Sequence, residues 1–269
     1  MKFFAVHIAV ATLMLFAVSC ASADTKQLSR QLHAPASLTT KEIAKLQREL
    51  RLTPVGKRIA FWAEQFVGTP YDTDPLGVYV SCKKVVCDIE VDCMYLAFRS
   101  AELATSETPL QAEVRALDLR FRTKGRVENG FVMNYEDRFE YGEDMVTSGK
   151  WGDDVTAKVG KTEKVAGSRG RENYEYVPKA VMLRPDALKN LQDGDIIYFV
   201  KDPSRRAVGE VVGHLGVIKV EAGVPKLIHA SGSKKGNEKP GGGVVKKVDL
   251  ADYLKDTKFI GVIITRFPA

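Results

Sequence analysis

Hydrophobic residues in the first part of the chain recur at helical spacing and predict three helices. A threonine cap at Thr39 marks the start of a helix that runs to about residue 50. Pro54 takes the first helical position of a second helix, whose apolar face includes Trp62 and Phe66. A third helix is predicted to start at about Asp92 and to cover 94–103.

After residue 195 the pattern changes to that of β-strands. Short apolar runs predict strands at 196–200, 214–220, 226–230 and 259–265, and glycine-rich turns such as Gly241-Gly242-Gly243 separate some of them. The segment 111–180 has little periodicity and many glycines and charges, so it is predicted to be a long insertion. Helices first and an antiparallel sheet second define an α+β fold.

The N-terminus has the pattern of an export signal. Lys2 precedes an apolar run over 3–18, which ends in small residues. Cleavage after Ala23 would release a soluble chain, whereas cleavage before Cys20 would leave a lipidated N-terminus. We therefore expect an exported protein, periplasmic or secreted, and a membrane-anchored lipoprotein if Cys20 is lipidated. The expected organisation is a signal peptide over 1–23 (1–19 for a lipoprotein), an arm with a helix over 24–52, and one domain over 53–269 that contains the insertion.

Composition narrows the class of protein only slightly. The chain has 269 residues, of which 45% are hydrophobic and 28% charged, and its formal net charge is +6. The excess of basic residues is spread along the chain, so it favours anionic surroundings only weakly. Zinc-finger spacing, aromatic RNA-binding signatures and basic helices are missing from the sequence, and we expect no nucleic-acid partner. We expect a monomer that needs no cofactor.

The cysteines become informative once export is accepted. Cys20 lies in the signal region, which leaves Cys82, Cys87 and Cys93 for an oxidising compartment. The short spacing of Cys82 and Cys87 predicts a disulfide between them, with Cys93 left free. A free cysteine in such a compartment is a candidate nucleophile, although Cys93 could also be a buried, small apolar residue.

Cys93 and two histidines form a candidate catalytic group. At a helix N-terminus, partial positive charge favours the thiolate, and the Cys93 backbone N–H could stabilise an oxyanion. Pairing with an imidazole would lower the pKa of the thiol further and raise that of the histidine. Cys93 as nucleophile and His214 as base would then need a third group to orient the base.

The predicted strands allow a test of whether both histidines share one site. If Ala222-Gly223 is a two-residue turn, Gly216 faces His229 across the hairpin. His214 lies two residues from Gly216 and therefore on the same face, as a diagonal neighbour of His229. His214 would be the base and His229 its orienting partner; alternatively, the two are structural histidines.

Four segments, in this order, resemble motifs of the NlpC-type cell-wall hydrolases, a superfamily of papain-like cysteine peptidases. Residues 91–97, Val-Asp-Cys-Met-Tyr-Leu-Ala, resemble the Asp-Cys helix start, and 67–71 resemble the Gly-x-Pro-Tyr loop. Residues 194–199 resemble the Gly-Asp-hydrophobic strand, and 214–218 with 227–231 resemble the two histidine strands. The resemblance covers most of 56–267 and implies a papain-like fold with the nucleophile at a helix N-terminus, packed on an antiparallel sheet or barrel.

The same resemblance implies roles for individual residues. Cys93 would be the nucleophile, His214 the general base and acid, and His229 the third member. Tyr71 and Asp92 would lie near bound substrate, although Tyr71 could be a packed loop aromatic and Asp92 only the helix cap. Features within 126–156 and 243–266 are similar to a larger branch that contains N-acetylmuramoyl-L-alanine amidases acting on muropeptides, whereas 135–151 depart from it.

Three other functions remain open from the sequence. The enzyme could instead be an endopeptidase that cleaves between D-glutamate and the diamino acid of the stem peptide. Cys93, His214 and His229 could be zinc ligands of an amidase, although the chain has no His-Glu-x-x-His pairing. Finally, the protein could bind the cell wall without catalysis.

Overall fold

The computed structural model describes residues 37–234 and 241–268, and the three helices predicted from the sequence are present in this part, each beginning within one residue of the predicted position. Helix α1, Thr40–Leu50, starts with a capping box: the Thr39 hydroxyl accepts from the Glu42 N–H, and the Glu42 carboxylate accepts from the Thr39 N–H. Helix α2 is Val55–Gln65, so Pro54 occupies the cap position, one residue earlier than predicted.

The other helices are shorter, except for two of about the same length. They are α3 Val78–Ser81, α4 Cys93–Ala104, α5 Pro109–Leu119, α6 Gly142–Ser148, α7 Thr156–Val159, α8 Lys179–Met182, α9 Pro185–Leu188 and α10 Leu250–Asp256, with 3-10 turns at Tyr135–Asp137 and Pro203–Arg205. No helix in the described part of the chain is long and apolar enough to cross a membrane. The predicted signal segment and Cys20 lie outside the described residues.

The strands form one large antiparallel sheet and a small separate hairpin. The hairpin consists of β1 Val127–Glu128 and β2 Phe131–Val132. The large sheet has the order β4-β5-β10-β6-β7-β8-β9, and β3 pairs with β10 outside this path. Its strands are β3 Asp153–Asp154, β4 Glu163–Ala166, β5 Asn173–Pro178, β6 Ile196–Val200, β7 Val212–Glu221, β8 Val224–Ser233, β9 Gly241–Asp249 and β10 Gly261–Arg266. The predicted α+β architecture with an antiparallel sheet is confirmed.

The central strand β6 is buried on both faces, which explains its uninterrupted apolar run. Ile196, Tyr198 and Val200 pack into one hydrophobic cluster with side chains of α2 and α4. Ile197 and Phe199 point into a second cluster on the opposite face, which α10 helps to cover. Helix α4 is therefore fixed against the sheet with its first residue beside β7.

One sequence expectation about local structure is wrong. Gly241-Gly242-Gly243 is not a turn but the start of β9, where the Gly243 carbonyl accepts from the Tyr71 N–H at 2.8 Å. The predicted insertion, 111–180, contains short helices and strands, and its β5 pairs with β10 of the main sheet. Short elements held by tertiary contacts leave little periodicity in a sequence, which explains the weak pattern of this segment.

Candidate active site

Cys93 is the first residue of α4 and lies directly after its cap. The Asp92 carboxylate accepts from the Tyr95 N–H at 2.8 Å, so Asp92 is the N-cap that the sequence predicts. As the first helical residue, Cys93 has a backbone N–H without an intrahelical partner. The thiol reaches the neighbouring strand, since its sulfur accepts a hydrogen bond from the backbone N–H of Leu215.

The two histidines meet through the hairpin of β7 and β8, in the register predicted from the sequence. The paired residues run from Glu221 with Val224 to Val217 with Ile228, and positive φ angles at Ala222 (49°) and Gly223 (80°) fit a type I′ turn. The Nε2 atom of His214 lies 2.9 Å from the Nδ1 atom of His229. The expected contact between the histidines is therefore present.

Gly216 makes this contact possible. A Cβ atom at position 216 would lie 2.6 Å from the carbonyl oxygen of Ile228 and 3.2 Å from the Cβ of His229. No side chain fits there unless the two strands move apart. The glycine thus leaves the room between the histidines that the sequence pattern suggested.

Cys93 and His214 line the same cavity, which has a volume of about 230 Å³. The cavity is bounded on its other sides by Met94, by residues 140–142 and by the ends of β6 and β7. Next to it, β7 is bulged: Phe199 pairs with His214, but Val200 pairs with Val212, which leaves Gly213 as the extra residue. The bulge turns the start of β7 towards the cavity.

Burial changes the expected ionisation of the pair. Burial is the largest influence on Cys93 and raises the pKa of its thiol to about 12, with a further contribution from the Asp92 charge. Burial and the neighbouring His229 lower the pKa of His214 to about 3, and burial lowers that of His229 to about 4. Burial therefore acts against the thiolate–imidazolium pair that the helix N-terminus favours.

Aromatic side chains enclose the histidines. Phe199 stacks on the His214 ring at 5.9 Å, and Tyr253 packs edge-on against the His229 ring at 4.9 Å. Burial, with the nearby Cys93 sulfur as a lesser cause, raises the pKa of Tyr253 to about 12. Tyr253 is not among the site residues predicted from the sequence. Its place in α10, directly after the strand β9 that pairs with β8, was the available signal.

Tyr71 and Asp92 also lie near Cys93. Burial raises the pKa of the Tyr71 phenol, and the charges of Cys93 and Asp92 add to this effect. The Lys234 Nζ atom lies 2.9 Å from a carboxylate oxygen of Asp92 and 3.9 Å from Asp72. Asp92 is therefore both a helix cap and part of a charged group beside Cys93.

The predicted disulfide between Cys82 and Cys87 is absent. Cys87 and Cys93 are both free thiols. Cys82 ends α3, the chain then turns at Lys83 with a φ angle of 53°, and Cys87 packs against the main core. The Cys87 side chain is half-buried against the core, and burial raises the pKa of its thiol to about 11.

The described residues contain no group of three or more His, Cys, Asp or Glu side chains arranged to hold a metal ion. The two imidazole nitrogens that face each other are close enough to hydrogen-bond directly. This contact suits a base and its orienting partner. Because the two nitrogens point at each other, they are not directed at a shared metal ion.

Comparison with known proteins gives similarity at the level of fold. Models of known protein families do not match the chain, and a search of curated proteins finds no relative. An N-acetylmuramoyl-L-alanine amidase from Bacteroides uniformis superposes with a TM-score of 0.60 and 24% identity over 80% of this chain and 99% of that chain.

Two further solved structures have the same fold. A Legionella pneumophila protein described by the family model DUF1460 gives a TM-score of 0.62 at 15% identity, over 85% of this chain and 94% of that one. A Bacteroides fragilis protein to which xylanase activity is attributed gives 0.57 at 24% identity, over 76% and 98%. The chain thus shares an amidase-like fold with these proteins.

Proposed function

We propose that this protein is a cysteine-dependent hydrolase of peptidoglycan fragments, an N-acetylmuramoyl-L-alanine amidase that cleaves the lactyl–L-alanine amide of muropeptides. The observation that supports it best is the 2.9 Å contact of His214 with His229 beside Cys93 at a helix N-terminus. This arrangement supplies a nucleophile, a base and an orienting group. It occurs in a fold shared with a solved amidase, and the four NlpC-type motifs are those that surround it.

In the proposed reaction, Cys93 starts as a thiol and His214 as a neutral imidazole. His214 uses Nε2 towards His229, so its Nδ1 atom takes the thiol proton as the Cys93 sulfur attacks the amide carbonyl. The oxyanion that forms is stabilised by the Cys93 backbone N–H. His214 then gives the proton to the leaving L-alanine nitrogen, and the C–N bond breaks to leave a thioester. Water, deprotonated by His214, hydrolyses the thioester and restores the thiol.

The cellular setting belongs to the same proposal. The export signal over 1–23 places the enzyme in the periplasm or outside the cell, and lipidation of Cys20 would tether it to a membrane. Either place gives access to cell-wall fragments. The enzyme acts as a monomer and needs no cofactor in this mechanism.

Mass spectrometry of digested muropeptides tests the proposal. Purified disaccharide-peptides incubated with the enzyme should yield free stem peptide with an L-alanine N-terminus and a sugar that keeps its lactyl group. A cut between D-glutamate and the diamino acid would instead establish the endopeptidase. Uncleaved muropeptide, together with retention of the protein on insoluble peptidoglycan, would establish a wall-binding protein.

Two further measurements distinguish the cysteine mechanism from a zinc mechanism. A chelator should leave the rate unchanged, whereas iodoacetamide should abolish it by alkylating Cys93. Loss of activity with chelator and recovery with zinc would replace the cysteine mechanism by the metal one. Xylan serves as a control substrate, and release of reducing sugar from it would contradict the amidase proposal.

A further inference from the structure

A lysine–glutamate pair lines the cavity beside the nucleophile. Lys201 follows β6 directly, and Glu210 shortly precedes β7, so both lie where these strands enter the cavity. The Lys201 backbone N–H donates to the Val211 carbonyl at 2.8 Å, which fixes the position of its side chain relative to β7. The Lys201 ammonium and the Glu210 carboxylate are in direct contact, with exposed side-chain fractions of 27% and 13%.

The bulge in β7 leaves room for the side chain of Lys201. A Cβ atom on Gly213 would lie 2.7 Å from the Cγ atom of Lys201 and 2.7 Å from the Phe259 ring. Gly213 is also the extra residue of the bulge and directly precedes His214. The aliphatic part of Lys201 therefore packs over the backbone next to the general base, and its ammonium is held at the cavity wall.

The hydrogen-bond partners indicate which charge the cavity can accept. Both oxygens of Glu210 are engaged, one by Lys201 and the other by the Val208 N–H at 2.9 Å. Glu140, the other carboxylate at the cavity, contacts Arg138 at 3.1 Å. An ammonium carries three N–H donors, and the contact with Glu210 uses one of them. The remaining donors of Lys201 suit an anion better than the engaged carboxylates suit a cation.

Glu210 holds the Lys201 side chain in place. Burial acts to raise the pKa of Glu210, but hydrogen bonds from Lys201 and from backbone N–H groups outweigh it, so its pKa lies below the ordinary value. The carboxylate therefore remains ionised near neutral pH. An ionised, well-held Glu210 makes the Lys201 ammonium a preorganised binding group rather than a mobile surface charge.

We infer that Lys201 determines specificity by binding a carboxylate of the stem peptide next to the scissile amide. This inference rests on the proposed function. In a muropeptide, the first carboxylate after L-alanine is the free α-carboxylate of γ-linked D-glutamate. Lys201 would anchor this group while Cys93 attacks the amide on the other side of L-alanine.

A pair of substrates that differ only in this carboxylate provides the test. One muropeptide carries D-glutamate with a free α-carboxylate, and the other carries the α-amide. K201M should lower kcat/KM for the acid form by about 10- to 100-fold, mostly through KM, because a charge-assisted hydrogen bond is lost. It should lower kcat/KM for the amidated form much less, so that the preference for the acid is lost, and K201R should retain part of that preference.

K219M is the matched control. Lys219 contacts Glu64 in a pair of similar exposure, but neither residue lines the cavity. K219M should leave the ratio of rates on the two substrates as in the wild type, and thermal melting should show that both variants fold. If K201M does not fold, K201Q replaces it. Equal effects of the Lys201 variants on both substrates would overturn the inference and leave Lys201 with a structural role.

A binding measurement separates this inference from the proposed function. In the C93A background, calorimetry with each uncleaved muropeptide measures recognition without hydrolysis. Tighter binding of the acid form that disappears in C93A/K201M supports carboxylate binding, even if the wild type cleaves neither substrate and the amidase proposal fails. Equal affinities of C93A for the two forms would overturn the inference, whatever the activity of the wild type.

Discussion

The β7–β8 hairpin and the segment 109–182 face the same cavity but are held in place by different means. The hairpin is regular: a two-residue turn and an unbroken register between Glu221–Val224 and Val217–Ile228 position the two histidines. The segment consists of short helices and strands that are anchored individually to the core. Regular strand pairing positions the two histidines, whereas single buried contacts position the opposite wall of the cavity.

Glu143 is the clearest of these anchors. This fully buried carboxylate on α6 accepts from the backbone N–H groups of Val211 and Val212 at 2.8 and 3.1 Å, and it contacts Arg169. It therefore ties the segment to the start of β7, two residues before His214. The cavity wall and the strand that carries His214 are thus linked through one carboxylate.

A second buried network holds the segment to α4, the helix that begins at Cys93. Arg120, at the end of α5, makes two hydrogen bonds to Glu102 of α4, at 2.6 and 2.7 Å. Arg99, on the same helix, binds both Glu102 and Asp88. Charges buried this deeply are stable only when fully paired, so the network favours one arrangement of α4 against the segment.

The largest effect should come from the hairpin and the helix it faces. C93A and H214A should each lower kcat by about a thousandfold or more, because the members of a nucleophile–base pair act as a unit. Circular dichroism should show an intact fold in both. C87A is the matched control, since Cys87 is also a free, half-buried thiol but lies outside the cavity, and it should keep the wild-type rate. Substantial activity in C93A would refute the cysteine mechanism.

The next effect concerns the orienting role of His229. H229A should lower kcat by about a hundredfold, and H229N by only about tenfold, because asparagine can still accept a hydrogen bond from His214. KM should change little in either variant. If both substitutions leave kcat unchanged, the 2.9 Å contact is structural and the hairpin contributes only His214 to the reaction.

Substitution of Glu143 tests how the segment 109–182 is held in place. E143A should lower the free energy of unfolding by about 2–3 kcal/mol, since two buried backbone N–H groups lose their acceptor and Arg169 loses its partner. E143Q keeps an acceptor and should cost less. Urea denaturation measures both, with E64Q as a control at a partly exposed carboxylate that pairs with Lys219 and Lys247. A loss for E143A no larger than for E64Q would show that the segment is held elsewhere.

The sequence predictions were likewise more successful for the helix caps and the hairpin than for the segment 109–182. Thr39, Asp92 and the Ala222-Gly223 turn act through local hydrogen bonds and backbone angles, which residue type and spacing reveal. Glu143 could not be found in this way, because its partners are about 70 positions away and only the folded chain brings them together. The Cys82–Cys87 disulfide failed because close spacing in a sequence does not determine which cysteines pair; Cys87 is a free thiol that packs against the core.

The smallest effect is the acid sensitivity of the hairpin. The pKa of His214 lies near 3 and that of His229 near 4 in the folded protein, below the value of about 6.5 expected for an unfolded chain. Below about pH 6.5 the unfolded chain therefore binds more protons than the folded one, and stability falls as the pH falls.

Between about pH 7 and about pH 5.5 the two histidines together should lower the free energy of unfolding by about 2 kcal/mol. Urea denaturation at both pH values measures this difference in the wild type and in H214N/H229N, which carries no titrating group at either position. Asp72 and Asp195, whose pKa values are raised by burial, oppose the trend, but both proteins retain them and their contribution cancels. The pH-dependent loss should be about 2 kcal/mol smaller in the double variant. Equal losses in the two proteins would mean that the histidines of the folded hairpin take up protons as readily as those of the unfolded chain, and that the cavity is open to water.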